Sequence, residues 1–507
     1  MSDSNTLCDV GFIGLGVMGK NLVLNLVDNG YTVAAFDLED KKINDLLAQD
    51  LAESDTNIPR IIGCSSLSVL LQRIKAPRII ILSIPAGTAV DDVSTQLIAA
   101  GVNKDDIIVD TGNSLWTDTV TREQQYKDNF TLFSSAVSGG EVGARFGPSL
   151  MPSGCHKAWL KIQPIWQAIA AKVNHKTGKP IDRTVPGQTV TDGEPCAIYI
   201  GPSGAGHYVK MVHNGIEYAD MQLICEAYHV LKQGLSLNTD QIADIFEKWS
   251  DGVLNSYLLE ISVEVLRQKT SEGIPLVELI LDKAGQKGTG LWTVMSSLEL
   301  GVPAPTIAQA VYARSISSFK NLRVQASDLL PGPDKLVLTE EQLQLFIGKL
   351  HDALYCAKIC VYSQGFQLMK QAEQEHGWQL NFAGIAKIWR AGCIIRAVFL
   401  QSISHAYERD QQLDNLLLDT FFSEQLSRYQ MNWRKAVADI SLIGVPIGAM
   451  SSALSYYDAM RSAILPANLL QGQRDYFGAH TFERVDQELG KKYHVEWATK
   501  KRQLIEI

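Results

Sequence analysis

The sequence predicts an α/β domain built on a parallel sheet, then a large all-helical domain and a C-terminal tail. Three observations carry this expectation. Short β-branched runs alternate with amphipathic segments through the first third of the chain, the pattern of strands joined by crossover helices. From about Ala205 onward long helical periodicity replaces them. Near the end stands a dense polar motif, Gln473-Arg474-Asp475-Tyr476-Phe477-Gly478-Ala479-His480, followed by a charged terminus. The 507 residues leave room for about three domains or sub-domains. The expected divisions are 1–203 for the α/β part, 204–462 for the helical part and 463–507 for the tail. A tail this polar after an all-helical body is expected to pack on something, such as a partner subunit.

In chain order, the candidate strands are Val10 to Ile13, Tyr31 to Phe36, Arg78 to Ile84, Asp106 to Asp110 and Phe133 to Val137. Lys20 to Asp28 is a helix opening directly after the first strand. Residues 174–195 are polar and rich in Gly, Pro and Thr, so they are read as an inserted loop. In the helical part Ile242-Ala243-Asp244-Ile245 is echoed by Ile385-Ala386-Lys387-Ile388, each after an apolar helix of similar length. The echo raises a duplicated helical unit as the architecture.

Composition narrows the function classes. The net charge is −9, which argues against generic binding of nucleic acid or an anionic membrane. It leaves open a local cationic cluster for a small anion. No apolar run approaches the roughly 18 residues that span a bilayer; the strand-like run Ile79-Ile80-Ile81-Leu82 is far too short. The polar start Met1-Ser2-Asp3-Ser4-Asn5 has no basic or apolar leader region. Eight scattered cysteines form no CxxC, and Cys356 and Cys360 read as core packing. A reduced, soluble, cytoplasmic protein is expected.

The first site signal is Gly14-Leu15-Gly16-Val17-Met18-Gly19, between a strand and a helix. Gly14 permits the tight turn, Gly16 lets a diphosphate approach the backbone, and Gly19 lets the helix pack on the strand. The helix N-terminus then offers oriented N–H donors. A Rossmann-type dinucleotide site is expected. The second strand ends in Asp37-Leu38-Glu39. An acid there normally accepts from the ribose hydroxyls of NAD. The 2′-phosphate of NADP would meet two carboxylates, at a cost of about 1–3 kcal/mol, with Lys41 and Lys42 close enough to offset part of it. The residues themselves favour NAD.

The second signal is a helix. Starting from Lys210, His213, Asn214, Glu217 and Tyr218 recur at helical spacing, and apolar residues fill the other faces. The helix is expected to be buried with one polar stripe facing a cavity. Lys210 and Glu217 lie two turns apart, about 10 Å along the axis, a spacing that suits an acid–base pair working on different carbons of one substrate. Burial lowers a lysine pKa and makes the amine usable as a base.

These stretches resemble the 6-phosphogluconate dehydrogenase family over roughly residues 8–497. The resemblance also covers Val137-Ser138-Gly139-Gly140 with Gly143-Ala144-Arg145, Gly285-Gln286-Lys287-Gly288-Thr289-Gly290, and Arg474 to His480. It implies oxidative decarboxylation of 6-phosphogluconate to ribulose 5-phosphate with reduction of NADP or NAD, in the pentose phosphate pathway. It implies Lys210 as general base and Glu217 as the acid. Asn113, Ser138, Gly139, Gly140, His213 and Asn214 would hold the sugar acid. Tyr218, Lys287, Thr289, Arg314, Arg474 and His480 would hold the phosphate. Cofactor contacts would come from Gly14 to Gly19, Asp37, Leu38, Glu39, Pro85, Ala86, Gly87 and Asn113. A homodimer is implied, its tail serving the neighbouring site, and no metal is required.

Three departures from the family pattern stand out. Asp37-Leu38-Glu39 replaces the usual Asn-Arg-Thr, Pro85-Ala86-Gly87 replaces Lys-Ala-Gly, and the loop at 174–195 is longer. Two other readings stay open. An NAD-dependent dehydrogenase of another 3-hydroxy acid would not require Lys287, Arg314 and Arg474 together. A silent cofactor-binding regulator would have lost Lys210 or Glu217, and neither is lost.

Overall fold

The computed structural model describes residues 7–54, 59–334 and 337–507; the N-terminal stretch Met1 to Asn5 lies outside them. The first region carries β1 (Val10–Ile13), α1 (Val17–Asp28), β2 (Val33–Phe36), α2 (Asp40–Glu53), β3 (Ile61–Gly63), α3 (Leu67–Gln72), β4 (Ile79–Leu82), α4 (Thr88–Ala100), β5 (Ile107–Asp110), α5 (Trp116–Tyr126), β6 (Thr131–Ser138), α6 (Gly140–Phe146), β7 (Ser149–Gly154) and α7 (His156–Ile169). They form a seven-stranded sheet ordered β3-β2-β1-β4-β5-β6-β7. Strands β1 to β6 run parallel and β7 returns antiparallel beside β6. Each crossover deposits a helix on the sheet, which is why the central strands are apolar on both faces. Val10, Phe12, Ile80, Ile81, Ile108 and Val109 are fully buried.

All five expected strands are present, with two more. β3 is short, and its Ile61-Ile62 is too brief a run to register as a strand. β7 carries Pro152 and Gly154, residues that argue against a central strand but are tolerated at a sheet edge. The strand order reverses between β1 and β4. There the loops at the carboxyl ends diverge and open a crevice.

The inserted loop is more structured than its composition suggests. β8 (Lys172–Val173) pairs with β9 (Pro180–Ile181) on one side and with β10 (Glu194–Pro195) on the other. Arg183 from the insert is buried, where it reaches Asp28 Oδ2 at 2.7 Å and Asn25 Oδ1 at 2.5 Å on α1. At its far end Glu194 pairs with Arg390 and with Lys387, the latter at 3.6 Å. Ion pairs of this kind supply order that the polar sequence does not announce.

The helical body comprises α8 (Ala205–His229), α9 (Thr239–Ser250), α10 (Tyr257–Arg267), α11 (Thr289–Glu299), α12 (Pro305–Ser317), α13 (Lys320–Leu329), α14 (Glu340–His376), α15 (Phe382–Ile388), α16 (Leu400–Arg409), α17 (Thr420–Leu442) and α18 (Gly448–Met460). The echoed segments lie at matching places. Ile242-Ala243 in α9 and Ile385-Ala386 in α15 are fully buried. Each helix starts on an Asn, Asn238 or Asn381, whose side chain accepts a backbone N–H of the first turn. Cys356 and Cys360 are buried in α14.

Compactness divides the chain into 1–453 and 454–507. The second unit holds α19 (Ala467–Gly478) and the hairpin of β11 (Tyr493–Val495) and β12 (Leu504–Glu506). Its centre is Asp475, fully buried, which accepts from Thr481 N, His494 Nδ1, Val495 N and Trp497 Nε1 at 2.8–3.1 Å. Burial alone would raise this carboxyl, but the hydrogen bonds from His494, Trp497 and Val495 hold its pKa below the usual range.

In the first unit α8 and α14 are joined by an ion pair, Lys358 Nζ to Asp220 Oδ1 at 2.8 Å, both side chains 1% exposed. Removing one partner strands a buried charge. Lys358→Ala is expected to cost about 3–5 kcal/mol, whereas Lys358→Met with Asp220→Leu recovers most of it. Urea denaturation of the two variants checks this; equal losses would show that the pair is not the source of the cost.

Candidate active site

The cofactor side grows from the ends of β1, β2 and β4. Gly14 has φ +96°, and a Cβ there would meet Ser83 O at 2.4 Å; one on Gly19 would meet Gly14 O at 1.9 Å. Neither position admits a side chain. A Cβ on Gly16 would have no atom within 4 Å, and Gly16 and Val17 are exposed. The first turn of α1 carries no acid. An open backbone face beside uncancelled N–H dipoles fits a diphosphate. Leu15 is buried beneath this loop, Met18 is half-buried, and Pro85, Ala86 and Gly87 lie at the neighbouring carboxyl end, at the start of α4.

Asp37 is turned inward. Its Oδ2 accepts from Leu15 N at 2.7 Å and its Oδ1 from Glu39 N at 3.0 Å. Lys42 Nζ lies 2.8 Å from Glu39 Oε1 and 3.5 Å from Asp37 Oδ1. Leu38 is 88% exposed. The acid expected to read the ribose therefore also fixes the glycine loop, and the nearest lysine is neutralised by the two carboxylates.

The polar stripe is buried as expected. Lys210, His213, Asn214 and Tyr218 are buried on α8, and Glu217 is partly exposed. His213 Nδ1 lies 3.0 Å from Asn214 Oδ1, 3.5 Å from Lys210 Nζ and 3.8 Å from Glu217 Oε2. Its Nε2 lies 3.2 Å from Ser138 Oγ, at the end of β6. Burial lowers the Lys210 pKa, while Glu217 and Cys393 pull it back up. Burial raises that of Glu217 against the pull of Lys210 and Arg314. His213 is driven well down by burial and by Lys210. The stripe thus pairs an amine pushed towards its free-base form with a carboxyl pushed towards its acid form.

Next to it opens a cleft lined by Asn113, Ser114, His207, Lys210, Met211, Asn214, Thr289 and Trp292. Asp110, ending β5, accepts from Gly112 N at 2.9 Å and Ser114 Oγ at 2.6 Å, which shapes the turn presenting Asn113. Gly139 and Gly140 open α6 directly after Ser138. On the other side the Arg314 guanidinium lies 3.5 Å over the Tyr218 ring, and its Nη1 donates to Gly285 O at 3.0 Å. Arg314 thereby anchors the loop that carries Lys287, exposed, and Thr289, buried at the start of α11. Arg474 and His480 are exposed residues of the second unit. The described residues contain no group of three or more His, Cys, Asp or Glu placed to hold a metal, and no helix long and apolar enough to cross a membrane.

Sequence reasoning missed Cys393, whose Sγ lies 2.8 Å from His213 Nε2 and 3.7 Å from Ser138 Oγ. One scattered cysteine among eight gave no signal. It also missed His207, one turn before Lys210, whose Nδ1 meets Thr119 Oγ1 at 2.7 Å.

Two family models cover this chain. Residues 9–178 match the NAD binding domain of 6-phosphogluconate dehydrogenase, and residues 206–497 match the C-terminal domain of that enzyme. The chain belongs to the 6-phosphogluconate dehydrogenase family. The decarboxylating 6-phosphogluconate dehydrogenase of Schizosaccharomyces pombe is 48% identical over 498 residues, 97% of this chain and 96% of that one. The NADP(+)-dependent, decarboxylating relative of Bacillus subtilis is 47% identical over 490 residues, 96% of this chain and 98% of its own. The Plasmodium falciparum enzyme, solved in its apo form and in complexes with NADP+ and with 6-phosphogluconate, is 39% identical. It superposes with a TM-score of 0.88 over 97% of this chain and all of that one. Membership of this family makes the chain an oxidoreductase fold with a nicotinamide dinucleotide site on its Rossmann domain.

The burial of Lys210 has a thermodynamic signature. Its folded pKa lies below the ordinary 10.5, so between the two values the unfolded chain binds more protons and stability rises with pH. Glu217 has the opposite sign: its folded value lies above 4.5, and its contribution is complete below 4.5 and lost as pH rises. Lys210→Met removes the cost of the buried ammonium. The variant is expected to melt above the wild type at pH 7, with the gain shrinking as pH approaches 10.5. Thermal melts across a pH series read this directly, and an unchanged or lower melting temperature at pH 7 would contradict it.

Proposed function

We propose that this chain oxidises and decarboxylates 6-phosphogluconate to ribulose 5-phosphate and carbon dioxide, in the pentose phosphate pathway. The observation that carries the reading is the opposed electrostatics of Lys210 and Glu217 on one buried helix, within a family whose named relatives perform this reaction. Free-base Lys210 takes the proton of the C3 hydroxyl. A nicotinamide dinucleotide held at the 14–19 glycine loop would supply the acceptor for the C3 hydride. The 3-keto acid then loses its carboxylate, because the adjacent carbonyl holds the electron pair as an enolate. Lys210, now an ammonium, donates to that oxygen and supplies the cation the step needs. Glu217, its carboxyl pushed toward the acid form by burial, delivers the proton to C1 of the enediol.

Asn113, Ser138, Gly139, Gly140, His213 and Asn214 are assigned to the sugar acid. Tyr218, Lys287, Thr289 and Arg314 are assigned to the phosphate, where an Arg fork and a Lys together suit a dianion. In this assignment residues 1–203 carry the cofactor, 204–462 the substrate, and the 463–507 tail brings Arg474 and His480 to the site of a second copy. A homodimer also accounts for Leu291, Met295 and Leu298, exposed along one face of α11, and for exposed Tyr312, Ile316 and Phe319 that follow. Eight free cysteines accord with a reducing, cytoplasmic setting.

The decisive test is the initial rate with 6-phosphogluconate while trapping carbon dioxide. One carbon dioxide is expected per nicotinamide reduced, and Lys210→Met should bind the sugar acid yet lose at least about a hundredfold in turnover. Reduction without carbon dioxide would move the reading to another 3-hydroxy acid.

For the cofactor, the residues at the end of β2 favour NAD. Asp37 and Glu39 put two carboxylates at the end of β2, Leu38 and Pro85 bring no charge, and Lys42 is already paired with both acids. The second reading is NADP, which the names of the relatives favour. Asp37→Asn with Leu38→Arg keeps an acceptor for Leu15 N while removing one negative charge and adding one positive. It is expected to shift the NADP:NAD ratio of kcat/KM by about tenfold or more, at least about 1.4 kcal/mol. An unchanged ratio would place specificity elsewhere.

A further inference from the structure

The thiol of Cys393 lies inside the catalytic cluster. The approach is built by two glycines: a Cβ on Gly139 would meet Gly392 O at 2.6 Å, and one on Gly392 would meet Gly147 O at 2.3 Å. The end of β6 and the segment after α15 can therefore touch, and Cys393 meets His213 and Ser138 there.

We propose that Cys393 is a positioning residue that fixes the tautomer of His213 and, through it, the orientation of Asn214 and the basicity of Lys210. The inference rests on the acid–base reading of Lys210 given above. The donor and acceptor inventory of the cluster supports it. His213 is fully buried and neutral, so it carries one N–H. Burial pushes the Cys393 thiol up to about 11, and Lys210 opposes that shift; it therefore keeps its proton at neutral pH. A protonated thiol 2.8 Å from Nε2 donates to it, which leaves the ring proton on Nδ1. Nδ1–H then donates to Asn214 Oδ1 at 3.0 Å. The Ser138 hydroxyl, 3.7 Å from Sγ, donates to the sulfur. Every group in the chain Ser138, Cys393, His213, Asn214 is satisfied in one direction. The amide NH2 of Asn214 is left for substrate oxygens.

The consequence reaches Lys210. With its proton on Nδ1 and directed at Asn214 Oδ1, the imidazole offers no lone pair to the amine 3.5 Å away and cannot accept from the ammonium, which favours the free base. The opposite tautomer would present a lone pair to Lys210, accept from the ammonium and raise its pKa. The other groups facing the cluster are Glu217 and Asp220 on α8, Tyr362 on α14, and the Trp389 ring, 5.5 Å from that of His213. None of these donates to His213 Nε2; the Ser138 hydroxyl also reaches Nε2, at 3.2 Å against 2.8 Å for the thiol.

The test uses the full-length protein and two variants. In Cys393→Ala the nearer donor to Nε2 is gone and only the longer contact from the Ser138 hydroxyl, at 3.2 Å, is left. The acid limb of kcat/KM against pH should move up by about one unit, with kcat at pH 7 falling more than KM for 6-phosphogluconate rises. Cys393→Ser keeps an O–H donor and should restore the wild-type limb. Independently of any turnover, ¹⁵N resonances of histidine-labelled protein read the tautomer, with His213→Asn used to assign the signal. Nδ1–H is expected in the wild type and Cys393→Ser, and a shift toward Nε2–H in Cys393→Ala. Nε2–H in the wild type, or an alanine variant with an unchanged pH profile, would overturn the assignment. Absence of turnover with 6-phosphogluconate alongside the expected ¹⁵N pattern would instead overturn the substrate reading and leave the tautomer assignment standing.

Discussion

The structure depends on the burial of one helix. α8 is packed against the sheet edge of β6 and β7 and against α5, α11, α12 and α14, so almost every residue along it has a protein neighbour. A lysine, a histidine and a carboxylate carried into that setting lose hydration that nothing nearby fully replaces. That cost pushes the amine toward its free-base form and the carboxyl toward its acid form. The surrounding helices can bear this cost because they bury large apolar side chains around it: Trp389, Tyr208, Tyr362 and Phe366 are all fully buried. The buried pair Lys358–Asp220 fits the same logic, since it places an acid one turn past Glu217 and helps to hold that carboxyl's pKa up.

What was legible in the sequence is what depends on local period and on backbone exclusion. Five strands could be read from β-branched runs, and the glycine loop from its spacing between a strand and a helix. The helical spacing of Lys210, His213, Asn214, Glu217 and Tyr218 is a one-dimensional pattern, and the structure keeps it on one face. What was not legible depends on distant partners. β7 pairs at an edge despite a proline. Cys393 lies 180 residues from His213, and nothing in its neighbourhood announces the meeting. The role of Asp37 was legible in part: its type and place pointed to the cofactor, but its hold on Leu15 N is a tertiary fact.

That hold changes how the cofactor question is posed. A carboxylate that only read ribose could be exchanged without disturbing the diphosphate loop. Asp37 does not have that freedom, because one of its oxygens fixes the amide of Leu15, the residue between the first two glycines. A neutral acceptor of the same shape would keep the loop. The charge is therefore separable from the hydrogen bond.

The insert at 174–195 belongs to the same economy of support. The Asp28 side chain, at the end of α1, is 2% exposed and lies among Arg145, Arg183 and, at 3.7 Å, Arg60, so several forks share one carboxylate at the far end of the helix that begins at the glycine loop. At its other end the insert presents Glu194 to Arg390, three residues before Cys393, and Cys196 Sγ lies 3.9 Å from Lys387 O. A segment that looks like a tether in sequence is thus clamped at both ends, once to the helix of the cofactor loop and once to the turn that carries the thiol. Rigid partners at both points matter because a hydrogen-bonded chain fixes a tautomer only if its members stay within reach. A displacement of an ångström at Gly392 would break the contact between sulfur and imidazole, and the ring proton would then no longer be held on Nδ1.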